Sequence, residues 1–332
     1  MILIRLIKKI VNSILVKIKK KIGGKKMKKI RLDGVQVVIP TPFNEEGEFD
    51  RSAESVLRKV IDFVIEKGVT GIIPAGGAGE FFSLTEAERK RLFDICIEQV
   101  GGRVSVCCGT GAVTTKEVIN YNRYAKEIGA VGVMLVTPYY SLPTDEEIFR
   151  FYATVAEAVD ISIMMYNDPF PTGVDMKPDL VARLVAEFDN IVAIKESTGD
   201  LRRIGEIKDA CGNKIDYLFG DDYPIVDAYI LGANGWVPNA WFPAEAQEIH
   251  RLCVEKRDFV AAKTFYDQRL RPVLKPANEG ARTNPSAYIA KQKAAFELLG
   301  FKVGAPRAPL SLMDEKGKKR LAEQMKQVGL LS

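Results

Sequence analysis

Short runs of β-branched and apolar residues recur along this chain at intervals of roughly 25 to 30 residues, each followed by a stretch with apolar positions three or four apart. The runs predict buried strands and the stretches predict amphipathic helices. Eight strands are expected, over 35–39, 71–75, 104–108, 131–136, 161–166, 191–195, 217–220 and 235–238. Helix starts are marked as clearly. Thr85, Thr114 and Thr144 each precede a glutamate by three residues, the spacing of a capping box, and Pro178 suits the first turn of another helix. Beyond Glu255 the stretches 258–274, 285–299 and 314–327 read as helices with no strand between them.

Eight strand and helix pairs predict an α/β chain folded as a (β/α)8 TIM barrel over residues 30–256, with a C-terminal helical appendage over 257–332. A doubly wound sheet would place a G-x-G-x-x-G turn after the first strand. Here that strand runs into Pro40-Thr41-Pro42-Phe43 instead. In a barrel the C-terminal ends of the strands form the functional face. Those ends carry Thr41, Gly76-Gly77-Ala78-Gly79-Glu80, Gly109-Thr110-Gly111, Thr137-Pro138-Tyr139-Tyr140, Tyr166-Asn167, Lys195, Gly220-Asp221-Asp222 and Pro238-Asn239.

Composition narrows the function by exclusion. The 332 residues are 47% hydrophobic and 27% charged, ordinary for a soluble globular protein. The formal charge of +5 is misleading: residues 1–29 hold eleven of the 48 Lys and Arg and no acid, which leaves 37 bases against 43 acids in the body. That body gives no reason to expect nucleic-acid binding. Residues 1–26 alternate Ile, Leu and Val with lysine and lack both a span-length apolar run and a signal cleavage site. They can be read as a helix on an anionic membrane surface, as a disordered tail, or as an extension upstream of a native start at Met27. The extension outside the fold is preferred. The five cysteines form no Cys-x-x-Cys pair and are expected as buried free thiols in a reducing cytoplasm; Cys107 and Cys108, adjacent in one strand, should face opposite ways. A single histidine, His250, cannot build a His-rich metal site, and this scarcity disfavours metal-dependent aldol chemistry and Ser-His-Asp hydrolysis.

The chemistry centres on Lys195, which closes the apolar run 191–194. An ammonium at a buried strand end is partly desolvated, so its pKa falls and a share of it is free amine, the form that attacks a carbonyl carbon. Tyr166 ends the preceding strand, and neighbouring strands lie about 4.8 Å apart, so a phenol able to move protons stands within reach. The glycine-rich turn 76–79 can converge backbone N–H groups into a seat for a carboxylate. A 2-oxo acid would then place its carboxylate in the turn and its ketone at Lys195.

These residues resemble the dihydrodipicolinate synthase and N-acetylneuraminate lyase group of Schiff-base lyases over about residues 30–310. The resemblance rests on Gly76-Gly77-Ala78-Gly79-Glu80, Thr137-Pro138-Tyr139-Tyr140, Tyr166-Asn167-Asp168-Pro169 with Thr172-Gly173, Lys195-Glu196-Ser197-Thr198-Gly199-Asp200, and Gly220-Asp221-Asp222. It implies an imine between Lys195 and pyruvate or another 2-oxo acid, with no cofactor and no metal. Tyr166 would be the acid/base and Gly76, Gly77, Ala78 and Gly79 would hold the carboxylate. It further implies that Val237 and Gly220 line the pocket and that Ser197, Asp221 and Asp222 face the second substrate. Tyr140 would cross a tight dimer interface in a homotetramer built as a dimer of dimers. Two departures bear on the reaction. The family's synthases have two threonines where this chain has Gly77 and Ala78, and an arginine, understood to hold the semialdehyde's carboxylate, where it has Pro171. These departures place 4-hydroxy-tetrahydrodipicolinate synthase activity behind a broader lyase reading. The stretch 76–84 is similar to keto-deoxy sugar-acid dehydratases, a further alternative, and a non-catalytic 2-oxo-acid-binding barrel is the alternative of another class.

Overall fold

The computed structural model describes residues 32–274 and 285–331. The predicted basic extension lies outside the described residues. Eight parallel strands pair in chain order: β1 (Gly34–Val38), β2 (Gly71–Ile73), β3 (Ser105–Gly109), β4 (Gly132–Val136), β5 (Ser162–Asn167), β6 (Ile191–Glu196), β7 (Asp216–Phe219) and β8 (Gly235–Trp236). The last pairs with the first, so the sheet closes as a TIM barrel. Helices α1 (Arg51–Glu66), α2 (Glu86–Val100), α3 (Thr115–Glu127), α4 (Asp145–Ala158), α5 (Pro169–Thr172), α6 (Pro178–Glu187), α7 (Arg202–Cys211), α8 (Ile225–Ile230) and α9 (Pro243–His250) follow the strands, and α10 (Phe259–Arg269), α11 (Pro285–Leu298) and α12 (Glu315–Gln327) complete the chain.

Local chemistry explains these boundaries. Thr85, Thr114 and Thr144 all form full capping boxes, each hydroxyl accepting from the backbone of a glutamate that bonds back to the cap. α6 begins at Pro178. α1 buries Ala53, Leu57, Val60, Ile61 and Val64, a stripe with helical spacing. At about 1.5–3 kcal/mol for a fully buried aliphatic side chain, packing on the barrel outweighs propensity in holding it. Two strands are shorter than predicted by two residues each, and β4 by one. β2 ends at Ile73 because Pro74 has no N–H for the ladder; β8 ends at Trp236, and although Val237 still donates to Phe219 O at 2.8 Å, Pro238 interrupts the ladder before an isolated parallel bridge between Asn239 and Val38.

Two cores result, one on each side of the barrel wall. Val35, Cys108, Ile163, Met165 and Ile194 face outward to the helices, whereas Val38, Cys107, Met134, Met164, Val192, Ala193 and Val237 fill the interior. The adjacent cysteines therefore do point opposite ways, and all five thiols are free and buried. The lone histidine is structural: His250 Nδ1 lies 2.8 Å from the buried Tyr229 hydroxyl.

The C-terminal helices are fastened to the functional end of the barrel. Glu80, which ends the glycine turn, pairs with Lys293 of α11 at 2.8 Å, both side chains fully buried, and accepts from the backbone N–H of Arg307 at 2.8 Å. Lys293 also donates to Ala305 O at 2.8 Å and lies over the Phe43 ring. Lys293→Met would strand a buried carboxylate and is expected to cost about 3–5 kcal/mol, read as a lower denaturant midpoint. The double variant Glu80→Met/Lys293→Met should recover part of that loss; strict additivity of the two substitutions would show that the pair is not coupled.

Candidate active site

The arrangement at the barrel mouth depends on one irregularity in the sheet. On β5, strict alternation sends Ile163 outward, Met164 inward, Met165 outward and Tyr166 inward. On β6 the same alternation, started at the outward Ile191, would send Lys195 outward. A register shift between Ile163 and Met164 leaves one extra residue on β6, so that Val192 and Ala193 both face the interior. Ile194 then faces out, and Lys195 turns inward beside its register partner Tyr166. The bulge therefore aims the lysine.

Lys195 is 6% exposed, and its Nζ lies 4.0 Å from the centroid of the Tyr166 ring. Burial pushes the amine down to about 8, against the opposing pull of the Asp168 and Asp222 carboxylates. The Tyr166 hydroxyl donates to Asp168 Oδ2 at 2.6 Å. Burial, with the Asp168 charge added, raises the phenol well above its ordinary range. Asp168 is itself raised by burial, an effect opposed by the Tyr166 hydrogen bond and the nearby Lys195. Asp222 accepts from Asn239 Nδ2 and is pushed up to about 7 by burial and by Asp221.

The next register pair holds the strand ends together. Asn167 Nδ2 donates to Glu196 Oε2 at 2.9 Å and to Asp175 Oδ1 at 3.1 Å, its Oδ1 accepts from the Met176 N–H at 2.9 Å, and Glu196 Oε1 accepts from the Thr198 N–H at 2.8 Å. Thus Tyr166 and Lys195 face the cavity, while Asn167 and Glu196 brace the two strands. Gly220 is required by close approach: a Cβ there would collide with Ser197 Oγ and stand 2.9 Å from Lys195 Cε.

A cavity of about 390 Å³ opens over Lys195, lined among others by Gly77, Ala78, Tyr166, Ser197, Gly220, Asp221 and Asp222. Of the predicted carboxylate seat, Gly77 and Ala78 border this space; they open a 3-10 turn, where first-turn N–H groups have no partner within the turn. Gly76 and Gly79 do not line it. Gly76 packs so closely on the barrel interior that a Cβ would stand 2.7 Å from Val38 Cγ1, and the Gly79 N–H bonds to Gly76 O at 3.0 Å. Val237 likewise belongs to the interior cluster and is not part of the cavity lining. Tyr140 is 95% exposed, at φ +73°, outside the cavity of its own chain.

The cavity also contains residues that motif reading did not assign. Asp168 is one, although its place two residues after Tyr166 on an extended strand end was a readable signal for the same face. Phe81, Phe82, Phe170 and Tyr139 add an aromatic rim, and Tyr288 and Ile289 come from α11. Among the described residues, no three His, Cys, Asp or Glu side chains gather as metal ligands would, and no helix is long and apolar enough to cross a membrane.

Residues 31–328 match the family model described as the dihydrodipicolinate synthetase family. The chain is 38% identical over 306 residues to a 4-hydroxy-tetrahydrodipicolinate synthase of Pelobacter propionicus, covering 90% of this chain and 99% of that one. Its fold is similar to the crystal structure of dihydrodipicolinate synthase from Aquifex aeolicus, with TM-score 0.82, 33% identity and coverage of 90% and 99%. It is equally similar to the chloride-inhibited dihydrodipicolinate synthase of Acinetobacter baumannii complexed with pyruvate, with TM-score 0.82, 31% identity and coverage of 90% and 100%.

Proposed function

Because the chain belongs to the dihydrodipicolinate synthetase family and is a lyase of that family, we propose that it joins or cleaves 2-oxo acids through an imine on Lys195. The observation that carries this reading is a buried amine, lowered to about 8, facing a cavity beside a phenol. Lys195 Nζ attacks the ketone carbon, and the carbinolamine loses water to leave an iminium. That cation draws electrons from the adjacent carbon, so a bond there can be made or broken. The backbone N–H groups of Gly77 and Ala78 receive the carboxylate, and Tyr166 handles the protons. Pyruvate is the first 2-oxo acid to try, since the Acinetobacter relative was crystallised with it. Borohydride added with pyruvate should leave one reduced pyruvyl group on the peptide holding Lys195. An unmodified protein across a range of 2-oxo acids would sink the reading.

The finer reading favoured by the relatives is 4-hydroxy-tetrahydrodipicolinate synthase, the name carried by the Pelobacter protein. This reverses the order reached from Gly77, Ala78 and Pro171. The absence of hydroxyls at 77 and 78 weighs less now, because Asp168 supplies the Tyr166 hydroxyl with an oxygen partner. Pro171 does border the cavity and offers no charge to a second carboxylate. Pyruvate supplied with the semialdehyde consumed by that reaction should give product if this finer reading holds. Turnover only with deoxy sugar acids would replace it.

The assembly we propose is a homo-oligomer in which Tyr140 enters the site of a neighbouring copy. Its support is the almost complete exposure of an aromatic side chain, beside Leu142 at 60%, on backbone of positive φ that such residues rarely adopt.

A further inference from the structure

We propose that Asp168 is the proton partner of Tyr166, taking the phenolic proton as Tyr166 removes one from the substrate. The inference rests on the imine reading and gives a role to Asp168, to which the motif reading assigned none. Its basis is the 2.6 Å bond from the Tyr166 hydroxyl to Asp168 Oδ2 in the cavity that holds Lys195. The backbone that carries Asp168 is held in place by its own turn. Thr172 Oγ1 donates to Asp168 O at 2.6 Å and accepts from the Val174 N–H at 3.1 Å, and the Gly173 N–H donates to Pro169 O at 2.9 Å.

A neutral phenol cannot act as a base unless its own proton leaves. Free phenolate is disfavoured here, because Tyr166 is buried and faces a carboxylate, so the transfer has to be concerted. In the pyruvyl iminium the C3–H bond breaks and its electron pair forms the enamine C=C, neutralising the nitrogen. The C3 proton goes to the Tyr166 oxygen while the phenolic proton goes to Asp168. One cation and one carboxylate become a neutral enamine and a neutral carboxylic acid, so charge and protons balance. Reversal protonates the enamine. At positions 77 and 78, glycine and alanine have no hydroxyl with which to relay this proton, whereas Asp168 is already bonded to Tyr166.

Two readouts separate the relay from the imine. Borohydride trapping with pyruvate at equilibrium reports imine, and loss of the pyruvate methyl proton signal in deuterated water reports C3–H cleavage. Full-length wild type should show both. Asp168→Asn should trap pyruvate as fully as wild type yet exchange about 100-fold more slowly. Loss of a nearby negative charge favours the free amine, so weaker nucleophilicity at Lys195 would not explain that result. Asp168→Ala should show the same loss, and formate, a small carboxylate able to enter the space, should restore exchange roughly tenfold. A purely structural role predicts no rescue. Exchange in Asp168→Asn within about threefold of wild type, a matching loss of trapped imine, or no formate response in Asp168→Ala would each overturn the inference. A wild type that traps no pyruvate would instead overturn the imine reading, and the relay with it.

Discussion

Lys195→Ala is expected to lower turnover by about 10⁴-fold or more, the scale on which removal of a covalent nucleophile acts, and to abolish the borohydride adduct. No described lysine other than Lys195 lines the cavity. Lys291, also lowered to about 8, spends its amine on Val273 O and does not reach that space. The pH dependence has a definite sign. With Lys195 lowered to about 8, the free-amine fraction rises as pH climbs through that value, so the rate of imine formation should rise to about pH 8 and level off above it. An ordinary exposed lysine would keep rising for more than two further units. Stopped-flow trapping across this range distinguishes the two profiles. Lys195→Ala that still trapped pyruvate would refer the chemistry to another amine.

The pattern of strands and helices was legible because the barrel repeats one local rule. Each strand is an apolar run, and the helices after β2, β3 and β4 each start at a threonine and glutamate pair whose hydrogen bonds form without help from the rest of the fold. Legibility failed where a long-range pairing decides the outcome. Alternation counted from Ile191 points Lys195 toward the helices, and only the register shift against β5 reverses it. Nothing in the apolar run 191–194 announces that shift. It arises from pairing with a strand nearly thirty residues away.

The candidate site divides in the same way. Tyr166, Lys195, Gly77, Ala78, Gly220 and Asp222 are brought together as the strand ends predicted, because barrel geometry alone gathers them. Gly76 and Gly79 looked equivalent to Gly77 in the sequence, yet one serves interior packing and the other closes a turn. Tyr288 could not be placed from its neighbours. It reaches the cavity because α11 is fastened to the glycine turn by the buried pairing of Lys293 with Glu80, a contact spanning more than two hundred residues. The C-terminal helices that follow the barrel thus also contribute to the cavity wall.

Tyr166→Phe is expected to slow C3–H exchange and overall turnover by about 10²- to 10³-fold while the imine still accumulates at equilibrium. The substitution is informative because it separates two things that Tyr166 does. Its ring lies under Lys195 Nζ at 4.0 Å and fills the barrel interior beside Met164 and Val136, and phenylalanine keeps that packing. Only the hydroxyl, with its bond to Asp168, is lost. If packing were its main contribution, exchange would survive in the phenylalanine variant and fail in Tyr166→Ala. If proton transfer is its contribution, the phenylalanine variant should already be slow, and adding Asp168→Asn should slow it little further. Residues that act as one unit lose their combined effect once either is removed. Additive losses in the double variant would mean that the phenol and the carboxylate work independently, despite the hydrogen bond between them.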